Sequence, residues 1–339
     1  MTSSRAKLIA RTLKLDEKSY NKLIEKSELR PSIKFWLNGL DRVLLIVTSA
    51  FLLSGILCFL SYNWMSLHKF VKFALLETGV IITIAMAWYK GIDQLPGKVF
   101  LFSGAMFVGF SLAVFGQIYQ TGADPYGLFL SWLIFVTAWT VIAKQSALYV
   151  LFIVLSNLSL VFYWNQIISP PSITDVWMSS LFGPLVRLFI DSGRSYLPLL
   201  LLVINLSFMV IYEFTNKKSI GTLAVRVSGI AAIIPLTSSA VILLFTDQWQ
   251  STGNLLLVSF FASTILGLWY FRFRCHDLFL TACILLALIV FITSFLLKST
   301  DFGKMGIFSF FFIGLAVLVQ TGSAAYWLRI TNSDRNSIQ

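Results

Sequence analysis

The sequence predicts an all-α integral membrane protein, a polytopic bundle of about ten transmembrane helices, and its composition is the first reason. Hydrophobic residues make up 57% of the 339 residues, and the mean hydropathy of the chain is +0.82. Charged residues make up only 12%, about half of the roughly 25% that is usual for a water-soluble domain. Because the chain has so few charges to face water, we expect lipid to surround most of it.

The length of the apolar runs is the second reason. A helix needs roughly 20 mostly apolar residues to cross the hydrocarbon core of a bilayer, with a range of about 17 to 25. Ten segments of the chain meet this requirement. The predicted spans are residues 43–62, 70–88, 99–119, 126–142, 147–164, 197–214, 224–245, 255–271, 278–297 and 307–328.

Positive charge sets the predicted orientation of these helices. The chain has 26 Lys and Arg residues, and a large share of them lies in residues 1–42. If the N-terminus is cytoplasmic, most of the others also fall on the cytoplasmic side. Because positive residues are retained on that side, both termini are predicted to be cytoplasmic, including a tail at residues 329–339. A charge pattern of this kind argues against nucleic-acid binding.

Two segments outside the spans have apolar patterns of their own. Residues 1–42 are predicted to be a basic cytosolic helical segment, in which Asp16 is a suitable N-cap. This segment either docks a partner protein or lies on anionic lipid headgroups. Residues 168–195 are predicted to be an outer loop. Its apolar stretch, 176–190, is too short to span, so we expect it to lie at the interface or to re-enter the bilayer.

Polar side chains inside the spans are candidates for function, because such groups are costly in hydrocarbon. Glu77, in the second span, is either a proton or cation site or a hydrogen-bonding partner of a neighbouring helix. Asn157 and Asn205 fall near the middle of the fifth and sixth spans, and we predict that they form helix–helix hydrogen bonds. Arg226 lies at the edge of the seventh span, where its long side chain can reach the headgroups.

The most distinctive stretch, FGQIYQTGADPYGLFLSW at residues 115–132, runs from the third span into the fourth. Asp124 is a suitable cap for the incoming helix, with Pro125 at its first position. The stretch either binds a polar headgroup, a sugar or a partner protein, or is a well-capped hairpin with interfacial aromatic residues. In the predicted topology, polar and aromatic side chains at the outer ends of the first four helices form one cluster. Its members are Asn63, Trp64, Glu77, Gln117, Tyr119 and Asp124.

Two runs in this region resemble a known family. SYNW at residues 61–64 and GQIYQTGADP at residues 116–125, followed by Trp132, are similar to a bacterial membrane family catalogued as domain of unknown function 2157. The resemblance covers about residues 10–165. It implies a short cytosolic helical start and a polytopic helical region in the bacterial inner membrane. Members of that family accompany other membrane proteins, which implies a multicomponent envelope complex.

The sequence contains no pattern typical of catalysis, metal binding or cofactor binding. It has no GxxxxGK[ST] motif for a nucleotide and no HExxH motif for zinc. Its two histidines, His68 and His276, are predicted to lie on opposite sides of the membrane, and its three cysteines do not have the spacing of metal ligands. We therefore expect no cofactor and no metal ion.

Three functional hypotheses follow. The first is a non-catalytic component of an envelope membrane complex, which binds other membrane or periplasmic proteins through the outer cluster or the N-terminal segment. The second is a transporter or lipid-handling permease for a small molecule or a lipid, with Glu77 as its coupling site. The third is a membrane enzyme acting at the outer face with Asp124 or Glu77 as a base, for which no second catalytic group can be named.

Overall fold

A computed structural model of the chain describes Asp16 and residues 33–62, 67–119, 125–169, 196–214, 222–246, 251–275, 277–300 and 307–338. Over these ranges the protein contains helices and turns and no strand. The ten α-helices are α1 (Ile33–Tyr62), α2 (Lys69–Lys90), α3 (Leu95–Tyr119), α4 (Pro125–Ala143), α5 (Ser146–Tyr163), α6 (Leu197–Phe214), α7 (Thr222–Phe245), α8 (Ser251–Phe273), α9 (Leu278–Ser299) and α10 (Ile307–Ile338). A π-helix, Trp164–Ile168, continues α5.

The predicted fold class is confirmed, since these ten helices fall at the ten predicted spans. Nine of the described helices are long and apolar enough to cross a membrane, and α6 has a shorter apolar part at Leu197–Ile211. Two helices are longer than predicted, because α1 begins at Ile33 and α10 continues to Ile338. Neither extension contains a proline, so no residue prevents the helix from continuing beyond the apolar run.

Some predictions fall on parts of the chain outside the described residues. They are residues 1–32 of the predicted N-terminal segment, apart from Asp16, and the apolar stretch 176–190. The location of both termini in the cytoplasm also stays a prediction.

The chain divides into two compact units, residues 1–107 and 108–339. In the first unit, α2 and the first part of α3 approach closely at Gly79, where an added Cβ would lie 2.8 Å from the Phe107 ring. Gly91 forms the turn between them with a φ of +85°, in the left-handed region that favours glycine. The α1 helix also belongs to this unit, and no residue of its most apolar stretch is buried.

The second unit is built around α7, which packs against α5, α6, α8 and α9. Of its most apolar stretch, 56% is buried, the largest share among the described helices. Small side chains permit this close packing. The buried small residues of α7 are Ala224, Ser228, Gly229, Ala232, Ser239 and Ala240. The adjoining core contains Leu236 and Leu243 of α7, Phe260 of α8 and Phe291 of α9.

Aromatic side chains join the other helices of the second unit. Gly109 of α3 lies against the Trp132 indole of α4, and this contact leaves no room for a Cβ. Between α4 and α5, the rings of Phe129 and Phe162 stack with their centroids 5.1 Å apart. These contacts join α3 to α4 and α4 to α5.

Candidate functional site

The residues of the predicted outer cluster do not all fall in the described part of the chain. Asn63, Trp64 and Asp124 lie outside it. Glu77 is exposed on α2 in the first unit, and no described residue forms a hydrogen bond or ion pair with its carboxylate. Gln117 and Tyr119 are exposed near the end of α3 in the second unit. The cluster therefore stays a prediction from the sequence.

The start of α4 is capped by a residue that the sequence did not indicate. Where α5 widens into the π-helix, the Ser169 N–H donates to the Trp164 carbonyl over 2.8 Å, a hydrogen bond between residues five apart. The side chain of Gln166, within this turn, reaches α4, and its Oε1 accepts a hydrogen bond from the Tyr126 N–H at 3.2 Å. The Tyr126 and Tyr163 rings also meet edge to face, with centroids 5.5 Å apart. This end of α4 is therefore held by α5 and its π-helix.

Asn157 of α5 and Asn205 of α6 form a reciprocal pair of amide hydrogen bonds. Asn157 Nδ2 donates to Asn205 Oδ1 at 3.2 Å, and Asn205 Nδ2 donates to Asn157 Oδ1 at 2.7 Å. Each Nδ2 also donates to a carbonyl of its own helix, that of Ile153 or Leu201, at 2.8 Å. Because every amide hydrogen has an acceptor, the pair joins two helices and has no donor left for a ligand.

An apolar cavity of about 440 Å³ lies among α6, α7, α8 and α9 in the second unit. Its volume is within the roughly 300–1,000 Å³ that is usual for small-molecule sites. Ala232, Leu236 and Ile284 form its deep wall, and each is at most 3% exposed. Leu206 of α6 and Leu266 of α8 lie at its rim, where they are 45% and 64% exposed. The cavity therefore opens between α6 and α8.

Two glycines of the cavity wall explain its shape. Gly229 of α7 lies directly against Leu280 of α9 and leaves no room for a Cβ. At Gly267 of α8, an added Cβ would lie 2.8 Å from the Ile284 side chain of α9. Both α7 and α8 thus approach α9 closely, whereas α6 and α8 make only slight contact with each other. The space that remains between α6 and α8 is the cavity.

The polar side chains of the cavity wall are few. The hydroxyl of Ser263 donates to the Phe260 carbonyl at 3.0 Å, and that of Thr264 donates to the Phe261 carbonyl at 2.9 Å. Both hydroxyls are therefore engaged by their own helix, α8. Trp269, with its indole N–H, and Tyr270, with its hydroxyl, are the remaining wall residues with a hydrogen-bonding side chain. Shape and apolar contact, rather than hydrogen bonding, are what this wall offers to a ligand.

An ion pair connects the starts of α7 and α9. Arg226 Nε donates to Asp277 Oδ2 at 3.1 Å. The other carboxylate oxygen caps α9, since Oδ1 accepts hydrogen bonds from the N–H groups of Phe279 at 2.9 Å and Leu280 at 3.2 Å. The guanidinium carbon also lies 5.3 Å from the centre of the Phe279 ring. The Arg226 side chain is 40% exposed and that of Asp277 only 14%, so the cation is the accessible member of the pair.

Sequence reasoning singled out Arg226 but missed its partner, the cavity and the capping role of Gln166. Asp277 directly precedes the ninth predicted span, at the same predicted side of the membrane as Arg226. That coincidence could have suggested the pair, although the choice between neighbouring helices needs the fold. Gly229 and Gly267 are the sequence signals of the cavity. Among the described residues, no three His, Cys, Asp or Glu side chains are grouped to bind a metal ion.

Of the comparisons with known proteins, the comparison with family profiles gives a match, and the other two do not. No curated protein and no solved structure matches the chain. The cavity and the Arg226–Asp277 pair lie beyond the matched region, so no role for them comes from the match. Residues 10–149 match the profile of a family described as a predicted membrane protein, domain of unknown function 2157, which confirms the resemblance seen in the sequence.

Proposed function

We propose that the chain is a non-catalytic, lipid-binding protein of the bacterial inner membrane, which holds an acyl chain in the cavity among α6, α7, α8 and α9. The chemistry of the cavity wall is the observation that carries this proposal. An acyl chain gains stability from many dispersion contacts and needs no hydrogen bond. A polar solute would instead lose its hydrogen bonds with water, and the wall has few groups to replace them.

The position of the cavity supports a ligand that comes from the bilayer. It opens between α6 and α8, at side chains that face outward, and α8 has the length and composition of a membrane span. The medium around such helices is hydrocarbon rather than water. A lipid can therefore enter sideways, and its acyl chain leaves one apolar medium for a closer-packed one.

Photolabelling in nanodiscs tests this proposal. We would use purified full-length protein and phosphatidylcholine that carries a photoactivatable group in its acyl chain. We expect labelled peptides to concentrate in the parts of α6, α7, α8 and α9 that line the cavity. A Ser263→Phe substitution fills the cavity from a partly exposed wall position, so it should remove most of that labelling.

The matched control is the neighbouring residue. Ala262 is exposed on α8 and is not part of the cavity wall. Ala262→Phe adds the same ring to the same helix and should leave the cavity labelled. The proposal fails if label spreads evenly over the exposed faces of all helices, or if both substitutions change the labelling equally.

A second candidate function is membership of an envelope membrane complex, and α1 supports it. No residue of the most apolar stretch of α1 is buried. Ala50, Ser54 and Cys58 are all exposed and follow one another at intervals of four residues, which places them on one face. Small residues at this spacing are typical of close contacts between membrane helices. We propose a transmembrane helix of another protein as the partner.

Affinity purification in mild detergent from the native host tests the second candidate, with stoichiometry measured by mass spectrometry. We expect a membrane protein in fixed ratio to the chain. Ser54→Phe should remove it because the ring blocks close approach at the small residues. Leu52→Phe, a change at an exposed position on another face of α1, should retain it. Purification of the chain alone, or equal retention by both variants, would contradict membership through α1.

A further inference from the structure

The end of the cavity nearest to Arg226 has the chemistry of a lipid headgroup site. We propose that the lipid in the cavity is an anionic phospholipid and that Arg226 binds its phosphate group. This inference rests on the proposed lipid-binding function and adds the chemical class of the lipid. The charge pattern of the sequence predicts that this end of the helices is cytoplasmic.

The register of α7 places Arg226 in line with the cavity wall. Gly229, Ile233 and Leu236 line the cavity and follow Arg226 at distances of three, seven and ten residues. These spacings put all four positions on one face of the helix. Arg226 and Gly229 are separated by about 4.5 Å along the axis, at 1.5 Å per residue. A lipid with its acyl chain in the cavity therefore has its polar end near the guanidinium.

The register of α9 leads to the same place. Asp277, Leu280 and Ile284 follow one another at intervals of three and four residues, so they also share one face. Ile284 lines the cavity and Leu280 contacts Gly229. The ion pair between Arg226 and Asp277 thus lies at the end of the α7–α9 contact that forms part of the cavity wall.

The ion pair leaves donors of the guanidinium available. Asp277 accepts from Nε of Arg226, and among the described residues no acceptor is hydrogen-bonded to either Nη group. A phosphate group fits two neighbouring donors of an arginine in a bidentate arrangement. Because Asp277 is already engaged by two backbone N–H groups and is little exposed, an approaching anion meets the cation rather than the carboxylate.

Further positive charge at this end favours an anionic lipid over a zwitterionic one. Arg274 is exposed on the turn after α8. Its backbone N–H donates to the backbone carbonyl of Tyr270, a cavity residue, at 2.9 Å. Arg272 lies in the last turn of the same helix. Since Asp277 balances Arg226, the exposed Arg274 supplies further positive charge at this end. Basic sites between membrane helices attract anionic headgroups for this reason.

The same photolabelling assay, carried out with two lipids that differ in their headgroups, tests the inference. Phosphatidylglycerol and phosphatidylcholine would carry the same photoactivatable acyl chain, each in nanodiscs of phosphatidylcholine. We expect phosphatidylglycerol to label the cavity about fivefold more strongly, the ratio that one basic residue near the headgroup supplies. Arg226→Gln removes one positive charge and should bring this ratio close to one. Because phosphatidylcholine also has a phosphate group, its labelling of the cavity should fall too, but less than that of phosphatidylglycerol.

Two further variants make the test specific. Arg226→Lys keeps the charge but loses the forked donors, so we expect an intermediate ratio. Arg329→Gln removes an exposed positive charge from α10, at the same predicted side of the membrane, and should leave the ratio unchanged. If Arg226→Gln does not fold, the Lys variant and the loss of preference in wild type at high salt replace it, since salt screens the attraction.

The outcomes separate this inference from the proposed function. Equal cavity labelling by both lipids in the wild type would overturn the anionic-lipid inference and leave the lipid-binding proposal standing. An unchanged preference in Arg226→Gln would overturn the role of Arg226. Absence of selective cavity labelling by either lipid would overturn both proposals.

Discussion

The helices α7 and α1 are alike in hydropathy and opposite in their surroundings. Each has an apolar span of 24 residues, Thr222–Phe245 in α7 and Trp36–Phe59 in α1, and the mean hydropathies of the two are nearly equal. Yet 56% of the most apolar stretch of α7 is buried inside the protein, and none of that of α1. Hydropathy therefore indicates that a helix enters the membrane and does not indicate what the helix contacts there.

Side-chain size accounts for the difference. The buried positions of α7 include Ala224, Gly229 and Ala232, which let neighbouring helices approach. The α1 helix presents Leu44 and Phe51 as large exposed side chains. In a bilayer, the exposure of these two side chains costs little free energy, because lipid tails are as apolar as the side chains. Close packing between helices, rather than the burial of apolar side chains as such, therefore holds this bundle together.

Removing a large side chain from each region should produce the largest contrast. Phe260 is 1% exposed and packs against Phe291 beside α7, with ring centroids 5.1 Å apart, whereas Phe51 of α1 is 75% exposed. Phe260→Ala should lower stability by about 3 kcal/mol, the low end of the usual cost of emptying a core site, because lipid offsets part of the loss. Phe51→Ala should have little effect.

Thermal unfolding in one detergent measures this contrast, with tryptophan fluorescence as the signal. Both variants lose the same number of atoms, so a difference in apparent Tm reports the surroundings of each ring. Equal shifts for the two variants would mean that α1 is packed as tightly as the α7 region, and the comparison would fail.

The positions of the helices could be predicted from the sequence, because a span requires only a long apolar run. The involvement of Asn157 and Asn205 in helix contacts could be anticipated for a similar reason, since an amide in hydrocarbon needs a partner. Their pairing with each other depends on which helices are neighbours. Hydropathy does not indicate which helices are neighbours.

The remaining features depend on the three-dimensional arrangement. Arg226 was expected to extend to the headgroups, and its bond to Asp277 arises only because α7 and α9 are adjacent. Gln166 caps α4 from a π-helix that has no apolar signature of its own. The cavity exists because Gly229 and Gly267 permit close approach to α9 on one side only, so single-helix patterns do not predict it.

Enlarging a glycine in each helix is the next strongest test of the comparison. An added Cβ at Gly229 would overlap Leu280, whereas no atom lies within 4 Å of one at Gly55 of α1. Gly229→Leu should cost about 2 kcal/mol, within the 1–3 kcal/mol that is usual for overpacking. Gly55→Leu should cause no loss of stability. Comparable destabilisation by both would show that Gly55 also faces a packed neighbour.

The smallest expected effect concerns the amide pair beside α7. Asn205→Leu leaves the Asn157 amide without its partner in a buried contact, and we expect a loss of about 1 kcal/mol, as for other hydrogen bonds between membrane helices. Ser49→Ala in α1 is the matched change, since Ser49 donates only to the Leu45 carbonyl of its own helix at 2.7 Å. Its effect on the apparent Tm should be negligible.

The double variant Asn157→Leu, Asn205→Leu completes this test. It removes both polar groups, so no amide is left unsatisfied, and it should be more stable than Asn205→Leu alone. That ordering is the signature of a reciprocal pair. If the double variant instead loses the sum of the two single effects, each asparagine acts with its own helix only, and α5 and α6 are held together by apolar packing without the amide pair.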